Sequence, residues 1–322
     1  MVAERGPGSA NSSGGRWEPL AELSAVLFGP SRGRSTAPLL ADDADDPGLF
    51  GPESVTWRVA REPFLLVGGG RALLMQMAHP LVAQGVVDHS DYERDPFGRL
   101  VRTLRWLISV TFGTTAEAQQ ASREVRRVHA SVRGTLHPSN ATMGIPSGTA
   151  YSASDAELAR WVLATIVESM LVTYAATVGP IPAGDADRFV REWRAVAPLV
   201  HVRDADTWDT AAALHAYVDH VVSTLRVVPA SREAAAVVLH PPLPTRALRP
   251  VTSAVAHLTT GLLPSLLRRA YNLRWTPLDR AAHTTACASL RATHRVLPQQ
   301  WRVSALYDAA LHRAEGRGLR RY

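Results

Sequence analysis

The sequence predicts an all-α protein built as a single helical domain, and three observations lead there. From about Glu53 onward apolar residues recur at helical spacing, and credible period-2 strands are few. The runs are punctuated by residues that start and stop helices. After about Pro241 the pattern stays helical, with no linker-like change of composition before it.

Residues 1–47 are expected to lie outside this domain. "MVAERGPGSANSSGGRW" reads as a disordered tail of Gly, Ser and Asn, and 31–47 as a polar, acidic linker. The domain is placed at 48–322, with a first helix over 53–61. "PFLLVGGGRALLMQMAHP" then leads into a helix over 69–87, which His79-Pro80 should bend. Its three glycines suit a tight start to that helix with close backbone packing. Pro96-Phe97-Gly98 opens a helix over 97–112, and Thr114 with Glu117 forms a capping box for 115–133, closed by Gly134. "HPSNATMGIPSG" (137–148) is a loop long enough to cover a site. Ser154 and Asp155 with Glu157 open 155–178. Further helices are expected over 185–197, 207–226, 231–240, 251–271, 278–296 and 302–315, and no internal repeat is visible.

Composition removes several functions. The chain has 322 residues and a net charge of +6, and all 35 of its basic residues are arginine. These arginines are spread along the chain among acidic residues, so coding bias explains them better than a nucleic-acid surface does. Without lysine there is neither a Walker A loop nor a Schiff-base enzyme. Gly68-Gly69-Gly70 is no dinucleotide fingerprint either, because Leu73 stands where a small residue is needed. The single cysteine, Cys287, excludes an internal disulfide and any Cys-built metal site. No basic-then-apolar leader opens the sequence, and the most apolar stretch, "WVLATIVESMLVTYAATVG", is interrupted by Glu168. A soluble cytoplasmic protein without an integral membrane segment, at most peripheral to a membrane, is expected.

Chemistry concentrates in two neighbouring helices. On "GRLVRTLRWLISVTFG", Leu100, Leu104, Leu107, Ile108 and Thr111 share one face, and Arg99, Arg102, Thr103, Trp106 and Val110 another. Much of this helix should be buried, so its arginines need a partner: a carboxylate elsewhere in the fold or a bound anion. On "REVRRVHASVRG", His129 is the polar member of an apolar stripe with Ala121, Val125, Val128 and Val132. It reads either as a core histidine bonded to a carbonyl or as an axial ligand to haem iron. His79 and His89 are ten residues apart across a proline, which is not the spacing of a helical zinc pair. Neither HExxH nor G-x-S-x-G occurs, and Cys287 lacks the framing of a haem-thiolate loop.

Taken in order, four segments carry a resemblance: "LLMQMAHPLVAQGVVDHSDYERDPFGRLVRTLRWLISVTFGT", "VRRVHASVRG", "YSASDAELARWVLATIVESMLVTY" and "LLRRAYNLRWTPLDR". They resemble the family that groups the MpaB-type oxygenases of mycophenolic acid biosynthesis with the latex-clearing rubber oxygenases. The similarity runs from about Trp57 to about Ala314. It implies a globin-like, haem b-binding core that uses O2 on a small apolar substrate, as in cleavage of isoprenoid double bonds. Residue by residue, the resemblance makes His129 the axial iron ligand. It sets Arg99, Arg102 and Thr103 on the distal or propionate side and counts Trp106 and His79 with the cofactor pocket.

Three departures from the family pattern stand out. Arg102 replaces a lysine, so the amine that caps the iron in rubber oxygenases is missing. Leu163 stands where many relatives have histidine. No secure counterpart exists for their distal glutamate; Asp88, Asp91 and Glu168 are nearby carboxylates. The alternatives are a non-catalytic haem or gas-binding protein and a helical binding protein without haem. An electron donor is a further potential partner.

Overall fold

The computed structural model describes residues 46–90, 96–242, 245–298 and 305–315. These residues form thirteen α-helices, six short 3-10 turns and one two-stranded hairpin. The helices are α1 (Val55–Ala60), α2 (Leu66–Met77), α3 (Pro80–His89), α4 (Pro96–Phe112), α5 (Thr115–His129) and α6 (Ala156–Thr177). There follow α7 (Ala183–Glu192), α8 (Ala211–Thr224), α9 (Pro229–Leu239), α10 (Arg249–Leu262), α11 (Ser265–Ala270), α12 (Pro277–Val296) and α13 (Ala305–Ala314). The mostly helical expectation holds, and the caps explain why. Thr114 and Glu117 form the capping box of α5, and Asp155 accepts from the amides of Glu157 and Leu158 to start α6.

Several boundaries differ from the sequence reading. The helix expected over 69–87 is two helices. His79 is extended, its Nδ1 accepts from the Leu81 amide at 3.3 Å, and Pro80 opens α3. The three glycines are the third to fifth residues of α2, which begins at Leu66. A Cβ on Gly68 would stand 2.5 Å from Thr173 Oγ1, and one on Gly70 would stand 2.9 Å from Thr259 Oγ1. Absent side chains therefore let α6 and α10 approach. The helix expected over 251–271 breaks at Leu263-Pro264, where the proline offers no amide.

The helix expected over 115–133 ends at His129, because the chain beyond it turns into a hairpin. There β1 (Arg133–Thr135) pairs antiparallel with β2 (Ala150–Ser152). Tyr151 from β2 is buried over Gly134 and Gly85, and a Cβ on Gly134 would meet its hydroxyl at 2.6 Å. The 137–148 loop joins these two strands.

α6 runs through the middle of the core and packs against α2, α8 and α12. Among the described residues it is the one helix long and apolar enough to cross a membrane, and it is mostly buried within the protein. Trp57, Trp161, Phe189, Trp193, Leu74 and Met75 fill the core around it. Trp57 Nε1 donates to the Thr111 carbonyl at 2.7 Å, tying α1 to α4.

Most of the expected N-terminal tail and linker, residues 1–45, lies outside the described residues. Asp46, expected in that linker, is firmly docked. Its carboxylate accepts from Gly48 N and Thr115 Oγ1 and from Ala116 N, at the N-terminus of α5. Burial opposes its charge, but hydrogen bonds from the Thr115, Gly48 and Ala116 amides and the Thr115 hydroxyl hold its pKa down at about 2.

Candidate functional site

α4 and α5 pack side by side, and Trp106 Nε1 donates to Ser122 Oγ at 3.1 Å between them. The buried line of α5 runs through Ala118 and Ser122 and continues at Val125 and His129, all close together at 100° per residue. Val128, expected on that stripe, falls well off it and is 64% exposed. His129 ends the helix half-buried.

Two charged groups from distant segments act on the His129 ring. Arg99 sits in the first turns of α4, its Nη1 donating to Ser90 Oγ at 3.0 Å just beyond α3. Arg126 Nη1 donates to the Leu199 carbonyl at 2.7 Å, binding α5 to the 3-10 turn Ala197–Val200. The residue after that turn, His201, is left-handed at φ 66° and stands near His129. Burial, then the charges of His201 and Arg99, push the His129 pKa below its ordinary value. The imidazole is therefore neutral at physiological pH. Among the described residues no side chain or carbonyl hydrogen-bonds its ring.

The remaining expected residues divide. Arg102 and Thr103 are exposed on α4, and Thr103 Oγ1 bonds back to the Arg99 carbonyl at 3.1 Å. Trp106 and Val110, on the same expected face, are buried, so that face passes from surface into core along the helix. His79 stands at the head of α3. It lines a cavity of about 320 Å³ with Leu81, Ile145, Tyr151, Asp155 and Leu158. Burial lowers its pKa to about 4, with Asp155 acting weakly the other way. Because Nδ1 accepts the Leu81 amide, the proton of this neutral ring sits on Nε2. None of the charged groups that act on His129 acts on His79.

The nearby carboxylates are occupied. Asp88 accepts from the Tyr151 hydroxyl at 2.5 Å and from Gln84 Nε2 at 2.9 Å. Glu168 pairs with Arg71, whose Nη1 also donates to Ser169 Oγ at 2.7 Å, and accepts from His215 Nδ1 at 3.2 Å. Burial works against its charge, but the His215 hydrogen bond and the Arg71 cation outweigh it and hold its pKa low. Asp91 lies outside the described residues. Burial pushes the Cys287 thiol up, against any thiolate role.

Sequence reasoning missed His201 and the Arg71–Glu168–His215 network. His201 reaches the site through the Arg126 link, which has no local signature. A buried glutamate on an apolar helix was the one visible sign of the network. Among the described residues no three His, Cys, Asp or Glu side chains gather into a group fit for a metal ion.

Residues 57–296 match the family described as "ER-bound oxygenase mpaB/B'/Rubber oxygenase, catalytic domain". The chain belongs to this family of MpaB and rubber oxygenases, and it is an oxidoreductase of the oxygenase class. No curated protein and no solved structure matches it.

Proposed function

We propose that this oxygenase binds haem b through His129 and uses O2 on a small apolar substrate. The observation that carries the reading is the His129 imidazole: half-buried, held neutral, and without a hydrogen-bond partner among the described residues. A macrocycle asks the protein for one such nitrogen, so the donor fits the group. Haem b, when bound, supplies the iron that takes up and activates O2.

The chain's own residues contribute charge and position. Arg99, held by Ser90, keeps a cation beside His129 and so disfavours imidazolium, which has no lone pair for a metal. Arg99 and Arg102 stand one turn apart on α4 and, with haem bound, would offer positive charge to a propionate. Arg102 carries a guanidinium and not an amine, so it does not act as the amine ligand that a lysine can be. Thr103 adds a hydroxyl beside them. Trp106 fixes the α4–α5 spacing through Ser122 and thereby the separation of Arg99 from His129. The globin-like arrangement of these helices and double-bond cleavage as the reaction belong to the same proposal.

Absorption spectra of the purified protein, oxidised and reduced, with iron analysis, test the reading. Wild type should show the Soret band of a histidine-ligated haem. His129→Ala should lose the haem while its circular dichroism stays helical; a variant with full haem content overturns the assignment. Arg99→Ala should keep haem and change O2 binding.

A further inference from the structure

Eight large apolar side chains are exposed among the described residues, and five of them fall between 248 and 278: Leu248, Val251, Val255, Leu266 and Leu278. The same part of the chain carries one sign of charge. From Ala234 to Leu278 there is no Asp or Glu, the longest such stretch in the sequence. Five arginines stand in it, at 246, 249, 268, 269 and 274. Single exposed apolar residues are ordinary; their concentration in one acid-free, arginine-bearing stretch is not.

The elements involved hold together as one piece. His257 on α10 stacks on Trp275 at 5.0 Å between ring centroids. Arg268 on α11 lies over the same indole at 5.2 Å and donates to the carbonyls of Gly261 and Leu263 at the end of α10. The first half of α10 stands clear of this joint, with residues 245–251 and 253–255 exposed. Leu248, Val251 and Val255 share one side of it. Further along that side Thr259 is buried, its hydroxyl donating to the Val67 carbonyl of α2 at 3.4 Å. The apolar stripe thus continues a packed helix face out beyond the body of the protein.

We propose that α10 to the start of α12 form an interfacial face that seats this protein on an anionic lipid bilayer. The Leu248, Val251 and Val255 side of α10 enters the headgroup boundary, with the exposed Leu266 and Leu278 adding apolar surface from the next two helices, and the exposed Arg246, Arg249, Arg269 and Arg274 meet lipid phosphates. A second copy of the chain is the poorer occupant, since two such faces would set arginines against arginines. Nucleic acid would leave the apolar side chains in water. Seating on a bilayer brings an enzyme for apolar substrates to the phase where they concentrate. The inference rests on the α10–α12 surface and not on the haem reading.

Co-sedimentation of the full-length protein with vesicles tests it, using phosphatidylcholine alone against phosphatidylcholine mixed with phosphatidylglycerol. Wild type should pellet with the mixed vesicles, release in high salt, and ignore phosphatidylcholine. Val251→Glu with Val255→Glu should abolish binding, and Arg246→Gln with Arg249→Gln should weaken it by roughly tenfold or more. All four positions are exposed, so circular dichroism should be unchanged. Wild type that ignores the mixed vesicles, or variants that bind as wild type does, overturn the proposal. So does a dimer in light scattering that the Val251→Glu, Val255→Glu variant dissolves. The absorption spectrum is read on the same samples: haem-free protein that binds vesicles defeats only the functional reading, and haem-loaded protein that ignores them defeats only this one.

Discussion

Glu168 sits 5% exposed in the most apolar helix of the chain, so its charge has to be matched by close neighbours. Arg71 supplies the cation, and His215 reaches in from the surface to donate to the other carboxylate oxygen. Glu168→Ala leaves Arg71 buried without its counter-ion and should cost about 3–5 kcal/mol in urea unfolding. Replacing both partners, Arg71→Met with Glu168→Met, should cost clearly less; equal losses would show that the charges themselves do not matter. His215 and His79 respond to pH with opposite signs. Hydrogen bonding to Glu168 raises the His215 pKa, so its contribution is full below about 6.5 and lost as pH rises through the raised value. His79 is depressed to about 4, so its contribution is full above its unfolded pKa near 6.5 and is lost as pH falls toward 4. That loss is on the order of 3 kcal/mol. Asn also caps helices, so His79→Asn keeps an acceptor for the Leu81 amide and removes the titration. Its stability should fall less than that of wild type between pH 6.5 and 4; parallel curves would refute the assignment.

Helix starts were the most legible elements, because a cap is a local contract between a side chain and amides two or three residues on. Thr114 with Glu117 and Asp155 were read from the sequence and act as read. Helix ends and kinks were less legible. Gly134 looks like a helix stop but serves instead to admit the Tyr151 ring, so the hairpin stayed hidden until β1 met β2. The glycines of α2 carried a signal of the right kind, close packing, whose partners are more than a hundred residues away. At that contact Thr173 Oγ1 is buried without a hydrogen-bond partner, 2.5 Å from where a Gly68 Cβ would stand. Gly68→Ala should therefore cost about 1–3 kcal/mol, and Thr173→Ala should relieve most of it. The same melting-temperature drop in both backgrounds would show that this contact is not the cause.

At the scale of the whole molecule, the mostly helical fold was visible in the chain, whereas the action of the Arg99 charge on the His129 ring was not, because the resemblance set Arg99 only on the distal or propionate side. Nor was His201, because a left-handed histidine gives no glycine signal and its position depends on the long-range Arg126 link. His79, counted by the resemblance with the cofactor pocket, lines a cavity at the head of α3. Asp46 fastens the chain to the first turn of α5, and His129 is the last residue of that same helix, about 20 Å away. α5 thus acts as a strut with the upstream chain bolted to one end and the candidate ligand mounted on the other. Asp46→Ala would free that end of the strut without touching the ligand end. α13 is fastened in its turn to the end of α4, where Arg313 Nη2 donates to the Phe112 carbonyl, so both helices of the candidate site are held from outside the pair.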